Sequence, residues 1–324
     1  MAVSYFRKKL LPGIIIFLFL FSYAGLAAEP VWYYSPLSGL PLRDKPNNQP
    51  MMVVVENSKA ARPQKGLEQA TVVYEVLAEG GITRFLALYW ETIPDEIGPV
   101  RSVREYFLNI ALSYDPLLIH SGASPAGFAA LAEEEIDNLD EIYNSQYYQR
   151  SDTRKAPHNL YTSERLKNYI SSFSDKGMQS GFLFNIFCFI GPETVTAEKV
   201  RIPYWNNYTV YYTYDYAKNV YTRFVNEPDK PHLVEKGQRI EVDNIIIVFV
   251  ETAVKDEIGR LDLKLTGEGR ALLFNNGRVV EGQWVKEEAT APFRYNNTRG
   301  DQLRLKPGIT WVQIVPGSSS INWE

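Results

Sequence analysis

Apolar residues fill MMVVV at 51–55 and return in TVVYEVLA at 71–78 and ITRFLALYW at 82–90. These are strand compositions, and Gly80-Gly81 between the last two predicts a hairpin. The intervening ARPQKGLEQA reads as a polar loop with room for a helical turn. The spacing then changes. In GPVRSVREYFLNIALSYD, apolar residues at Val100, Val103, Phe107, Ile110, Ala111 and Tyr114 recur at helical intervals. That predicts a helix opened by Gly98 as cap with Pro99 in its first turn. A short strand at PLLIHSG follows, then a helix at SPAGFAALAEEE capped by Ser124, a long polar segment, and a helix around SERLKNYISSF.

After about residue 190 the helical period disappears. KVRIPYW, YTVYYTYDY, VYTRFVN, NIIIVFV, RALLFNN, RVVEGQWVKE and TWVQIVP are short β-type runs, punctuated by turns such as Asn276-Gly277, Arg299-Gly300 and Pro307-Gly308. The expected fold class is α+β. Residues 51–190 form a mixed α/β domain and residues 191–324 a smaller β-rich domain, after an extended Pro- and Tyr-rich lead-in at 29–50.

The first 28 residues stand apart. Arg7, Lys8 and Lys9 precede an apolar run ending in small residues, the order of an export signal. An uncleaved anchor is the competing reading, since the run approaches the ~20 residues that span a bilayer. Both place the rest of the chain outside the cytoplasm. Without the three basic signal residues, 31 Lys+Arg face 38 Asp+Glu, a formal −7. An acidic chain of this kind argues against nucleic acid as a partner, so any anion site must be local. Membrane contact is expected through the N-terminal segment alone. The single cysteine, Cys188, lies in an apolar stretch and reads as a core residue; it offers no disulfide.

Candidate chemistry centres on Arg101 and Arg104. Placed three apart at the opening of a helix, both oppose the positive end of its dipole, by roughly 0.3–1 kcal/mol each. Either an external anion compensates them, through two guanidinium forks and free amides, or internal carboxylates do. The internal candidates are Glu105 for Arg101 and Glu75 or Glu79 for Arg104. His120 and Ser121 end a strand before a second helix; Ser124 reads as a cap there, His120 as a histidine satisfied by a backbone carbonyl or as a ligand contact. No G-x-S-x-G elbow surrounds either serine. The loop YYQRSDTRKAPHNLY gathers Arg150, Asp152, Arg154, Lys155, His158 and Asn159. If it folds over the Arg101 segment, Arg84, Arg101, Arg104, Arg150 and His158 form one positive cleft.

Metal signatures are weak, with three histidines in all and neither H-E-x-x-H nor paired cysteines; Glu75 with His120 and His158 could be assembled into a site. No phosphate loop or dinucleotide fingerprint occurs, so neither cofactor nor metal is expected. Trp205, Trp284 and Trp311 suit strand packing first and an aromatic glycan surface second.

ARPQKGLEQATVVYEVLAEGGITRFLALYW, IGPVRSVREYF, HSGASP and KAPHNLYT, with GEGRALLFNNGRVVEGQWVKE and LRLKPGITWVQIVP later, resemble the YerB-like lipoproteins of Gram-positive bacteria. That resemblance implies an extracytoplasmic place and a two-domain architecture but no reaction. It departs from the lipoprotein pattern in having no cysteine at the signal boundary. The expectation is an exported cell-envelope protein that binds a phosphate- or carboxylate-bearing wall or membrane-surface ligand through Arg101 and Arg104, with Arg84, His120, Ser121, Arg150, His158 and Asn159 as further contacts. Two alternatives stay open: an enzyme acting on a phosphate-linked lipid or glycan, and a non-catalytic scaffold that docks another envelope protein.

Overall fold

The computed structural model describes residues 32–174, 180–185, 194–205, 207–257 and 259–324; the segment expected to be an export signal or anchor, and Cys188, lie outside them. The first region supplies β1 (Met51–Glu56), β2 (Val72–Leu77) and β3 (Thr83–Tyr89). It continues with α1 (Glu105–Ala111), β4 (Leu117–His120), α2 (Pro125–Glu133), β5 (Asn138–Asp140) and α3 (Glu164–Ile170). The second supplies β6 (Lys199–Trp205), β7 (Tyr208–Asp215), β8 (Val220–Val225), β9 (Asn244–Val250), β10 (Gly267–Asn275), β11 (Arg278–Lys286) and β12 (Thr310–Pro316).

One sheet of eleven strands runs through both regions in the order β11-β10-β9-β12-β2-β3-β1-β4-β5, with Val195–Thr196 and Arg294–Asn297 on the outer edge of β11. The seam is β12 beside β2, parallel, with Thr310 opposite Val72 and Gln313 opposite Glu75. The sequence therefore changes composition near 190 while the sheet continues unbroken. Near-continuous apolar runs such as MMVVV, fully buried in β1, are what a sheet covered on both faces requires. The hairpin expected at Gly80-Gly81 joins β2 and β3. At Asn276-Gly277 both residues have positive φ (52° and 68°), the turn geometry that an Asn-Gly pair selects between β10 and β11.

A second sheet, ordered Glu241–Val242, β8, β7, β6, Asn322–Trp323, packs on one face of the large one. Strand β7 alternates buried and half-buried positions along its whole length, the period of a strand with one face inward. Its Tyr208 hydroxyl, and that of Tyr204 in β6, donate to the Glu75 carboxylate and backbone carbonyl respectively, so the sheets are tied by hydrogen bonds as well as apolar contact. Lys286 adds a further tie between the regions: its buried ammonium donates to Ser113 Oγ (2.7 Å) and to the carbonyls of Ala289 and Ala291, and burial pushes its pKa down to about 8.

One expectation needs correction. The helix read from Gly98 onward begins only at Glu105 and is seven residues long. Residues 98–103 are extended, because their amides find partners on neighbouring strands: Val100 N–H donates to Leu160 O (2.7 Å), Arg101 N–H to Val54 O (2.8 Å) and Val103 N–H to Gly122 O (3.1 Å). Val100 and Val103 are buried as their spacing implied, yet from an extended segment that suits β-branched residues.

Candidate functional site

Register on the large sheet decides which side chains meet. Glu56 lies opposite Arg84 and Val55 opposite Phe85, while Glu75 also lies opposite Phe85. Alternation therefore sends Glu56 and Arg84 to one face, Glu75 and Phe85 to the other. On the first face the extended segment 98–104 crosses the strand ends and delivers two more guanidiniums.

Arg101 grips Glu56 with two nitrogens, Nε to Oε2 at 2.9 Å and Nη2 to Oε1 at 3.1 Å. His158, from the loop between Tyr148–Arg150 and Leu160–Thr162, meets the same carboxylate through Nδ1 at 2.8 and 2.9 Å, and Ser58 Oγ donates to it at 2.7 Å. Desolvation would raise the Glu56 carboxyl, but hydrogen bonds from Arg101, Ser58 and His158 hold it below the ordinary carboxylate range. Arg104, the N-cap of α1, forks onto Glu79, with Nη2 to Oε2 at 2.8 Å and Nε to Oε1. It also donates to Ser102 Oγ at 3.0 Å.

Arg84 is different. It is 8 % exposed and donates through Nη1 to the Ser102 carbonyl at 2.6 Å. Its buried Nε has no hydrogen-bond partner, and among the described residues no carboxylate comes within ion-pair distance of it. Burial first, then the charge of Arg104, pushes its pKa down to about 10. Three guanidiniums thus share two carboxylates, and the most buried, Arg84, forms no direct ion pair and feels Glu79 only at longer range.

The remaining expected residues form a neighbouring patch. Ser121 Oγ donates to Glu141 at 3.1 Å, Arg150 pairs with the same carboxylate at 2.9 Å, and Arg150 reaches Asn159 at 3.4 Å. Ser121 joins the first cluster through its backbone, donating to Arg101 O at 3.1 Å. His120 is fully buried, its ring held by Gly122 O (3.0 Å) and Asn138 Oδ1 (3.2 Å), so it faces no ligand space. Ser124 caps α2, accepting from Gly127 N–H at 3.0 Å.

Two expectations about charge are overturned. Arg101 and Arg104 do not stand unpaired on one helix face; the first lies four residues before the helix, and each holds a carboxylate of its own chain. Glu79 is indeed the partner of Arg104, but Glu105 pairs with Lys255 (3.0 Å), not with Arg101. Nor do Glu75, His120 and His158 gather, and no group of potential metal ligands assembles among the described residues.

Glu75 instead anchors a network on the opposite face. Arg223 of β8 meets it at 2.9 and 3.1 Å, both side chains with zero exposure. Tyr208, Asn57 and Thr83 donate to the same carboxylate at 2.5, 3.1 and 2.8 Å. His232 completes the network: Arg223 donates to its Nδ1, which fixes the proton on Nε2, from which it donates to Gln64 Oε1 at 2.8 Å. Burial, followed by the charges of Arg223 and Arg62, drives the His232 pKa well below 6.5.

Glu56, Arg223 and His232 escaped the reading of the sequence. A signal for Glu75 existed: a carboxylate at the centre of VVYEVL has to find a cation once buried. Nothing local identifies that cation, because Arg223 arrives from 148 residues away in sequence.

Comparison with known proteins agrees with this architecture. Residues 37–178 match the family model described as "Protein of unknown function (DUF3048) N-terminal domain", and residues 200–312 its C-terminal counterpart. The chain is 36% identical over 295 residues to the Bacillus subtilis (strain 168) protein named "Putative lipoprotein YerB", covering 87% of this chain and 86% of that one. The crystal structure of YerB protein from Bacillus subtilis superposes with a TM-score of 0.77 at 32% identity, covering 90% of this chain and 99% of that one. Among the described residues no helix is long and apolar enough to cross a membrane. The chain belongs to the YerB-like DUF3048 family, a mixed α/β region followed by a β-rich one.

Proposed function

We propose that this is an exported cell-envelope protein that binds an anionic group, phosphate or carboxylate, of a wall or membrane-surface ligand at the Arg84–Arg101–Arg104 cluster. One observation carries the reading: Arg84 is a buried guanidinium with an unpaired Nε and no carboxylate of its own. Leaving a buried donor unmatched costs roughly 1–3 kcal/mol, more when it is charged. An anion entering beside Glu79 and Glu56 supplies the missing acceptor, and the positive charge of Arg101 and Arg104 alongside favours it. The relative's name and the basic, then apolar, N-terminal segment support an extracytoplasmic place.

The test is thermal melting of the protein in sodium pyrophosphate against sodium chloride of equal ionic strength. A ligand-dependent rise is expected, because binding to the folded state stabilises it by mass action. The rise should vanish in Arg84→Gln and be weakened in Arg84→Lys, which keeps the charge and loses the fork. An unchanged melting temperature in pyrophosphate, or an equal rise in Arg84→Gln, removes the proposal.

The enzymatic alternative draws on a separate feature. His158 holds its Nδ1 on Glu56 while Nε2 has no protein partner among the described residues, the arrangement of an oriented general base. Release of inorganic phosphate from a lipid-linked pyrophosphate, lost in His158→Gln, is the result that would favour it.

A further inference from the structure

A cavity of about 1130 Å³ opens where the two regions meet, its wall including Ala78 and Gly80 on either side of Glu79. Its walls are the β2–β3 turn, strand β6, the start of β7, residues of the paired segments 252–254 and 261–263 with Glu257 and Gly259, and the chain after β12. At its rim sits Trp205, 54 % exposed, while Trp284 and Trp311 are buried in the sheet core as their sequence context implied. A large aromatic ring left in water on a strand end needs a reason.

The local structure holds the ring in place. The β6–β7 pairing shifts register between Pro203 and Trp205, a bulge that re-aims a side chain at the end of a strand. The indole then rests on Gly81. A β-carbon there would fall 2.6 Å from Trp205 Cδ1, and the residue has φ of 71°, so both space and backbone favour glycine. The indole is thus seated against the backbone at Gly81 while the side chain lines the cavity.

Around that ring stand polar groups without partners of their own. Arg201 and Glu257 line the cavity, and neither forms an ion pair among the described residues. Thr209 and Ser318 add hydroxyls. One cation, one anion, several hydroxyls and a flat aromatic face form a set with no net charge. It does not match a phosphate or an apolar helix. It matches a ring with one face of C–H groups and an equator of hydroxyls. The volume exceeds the ~300–1,000 Å³ of ordinary small-molecule sites, which leaves space for more than one such ring.

We infer that the junction groove is a carbohydrate-binding site in which an uncharged oligosaccharide stacks a ring on Trp205 and hydrogen-bonds Arg201 and Glu257. The amphipathic indole supplies the contact area, and the charged pair supplies orientation through charge-assisted hydrogen bonds to hydroxyls. None of Arg84, Arg101 and Arg104 lines the groove, so sugar binding and anion binding are tested independently.

Isothermal titration calorimetry of the protein with tri-N-acetylchitotriose and with maltotriose tests the inference. Binding of at least one sugar is expected, weakened about tenfold or more in Trp205→Ala, as for a truncated aromatic hot spot. Trp32→Ala, which removes another exposed tryptophan outside the groove, should leave the affinity unchanged. Gly81→Ala should weaken binding by displacing the indole. Because Trp205 is exposed, its removal should leave the melting curve and the response to pyrophosphate intact, whereas Arg84→Gln should leave sugar binding intact. Absence of binding by both sugars, or equal affinity in Trp205→Ala, overturns the inference without touching the anion site.

Discussion

The molecule contains the same trio of residue types twice, on opposite faces of one sheet. Glu75, Arg223 and His232 are enclosed between the two sheets; Glu56, Arg101 and His158 stand at an edge where Arg101 keeps 24% of its side-chain surface and His158 26%. In the enclosed trio the carboxylate and guanidinium pair internally, although Arg223 Nε, like Arg84 Nε, has no hydrogen-bond partner, and the imidazole is held neutral between an arginine and a glutamine. In the edge trio one carboxylate is shared by an arginine, a histidine and a serine, and a third guanidinium nearby is left without one. The lesson is that burial, more than residue type, assigns the task. The enclosed set fixes how β8 docks on β2, and the edge set retains charge that an outside anion can answer.

Breaking the enclosed pair should have the largest effect. Arg223→Met leaves Glu75 buried and charged, at a cost of about 3–5 kcal/mol. Urea unfolding would measure it. Glu75→Leu combined with Arg223→Met should recover much of the loss, and a double variant no better than the single one would contradict the pairing.

Acid sharpens the contrast next. The folded pKa of His232 lies below its ordinary 6.5, so under that pH the unfolded chain binds a proton that the folded one refuses. Stability from this source is complete above pH 6.5 and falls as pH drops, by up to about 1.4 kcal/mol per unit. The slope should disappear in His232→Gln when melting is followed from pH 7 to 5. Glu56, also depressed, adds its loss only below its ordinary 4.5, so the two trios separate along the pH axis.

Smaller effects belong to the edge. Arg101→Ala should cost about 1 kcal/mol, since Glu56 keeps Ser58 and His158, and the cost should shrink in high salt. Arg150→Ala, which breaks a half-exposed pair with Glu141, should change stability by no more than about 0.5 kcal/mol in the same unfolding assay.

Most strands were legible because their apolar runs and glycine turns are local signals, from MMVVV to the Asn276-Gly277 hairpin. The helix before Glu105 misled because Val100 and Val103 satisfy a helical period while their own amides, and that of Arg101, are claimed by distant segments. For the same reason the dipole argument for Arg101 and Arg104 fell, although their grouping with Arg84 and the approach of His158 to Arg101 stand in the structure. The seam of β12 against β2 and the docking of Arg223 on Glu75 had no local signal, since each joins segments far apart in the chain. Trp205 read as strand packing because a bulge and a glycine seat are set by register, which one dimension does not display.

The chain has only three histidines, one in each trio and His120 in the β4 wall, so their imidazole resonances report both faces of the sheet in a single NMR titration. Adding pyrophosphate at pH 7 should shift the His158 signals in a saturable way and leave His232 and His120 where they are. Histidine signals that all stay fixed, or a His232 that moves as far as His158, would contradict an anion site confined to the arginine edge.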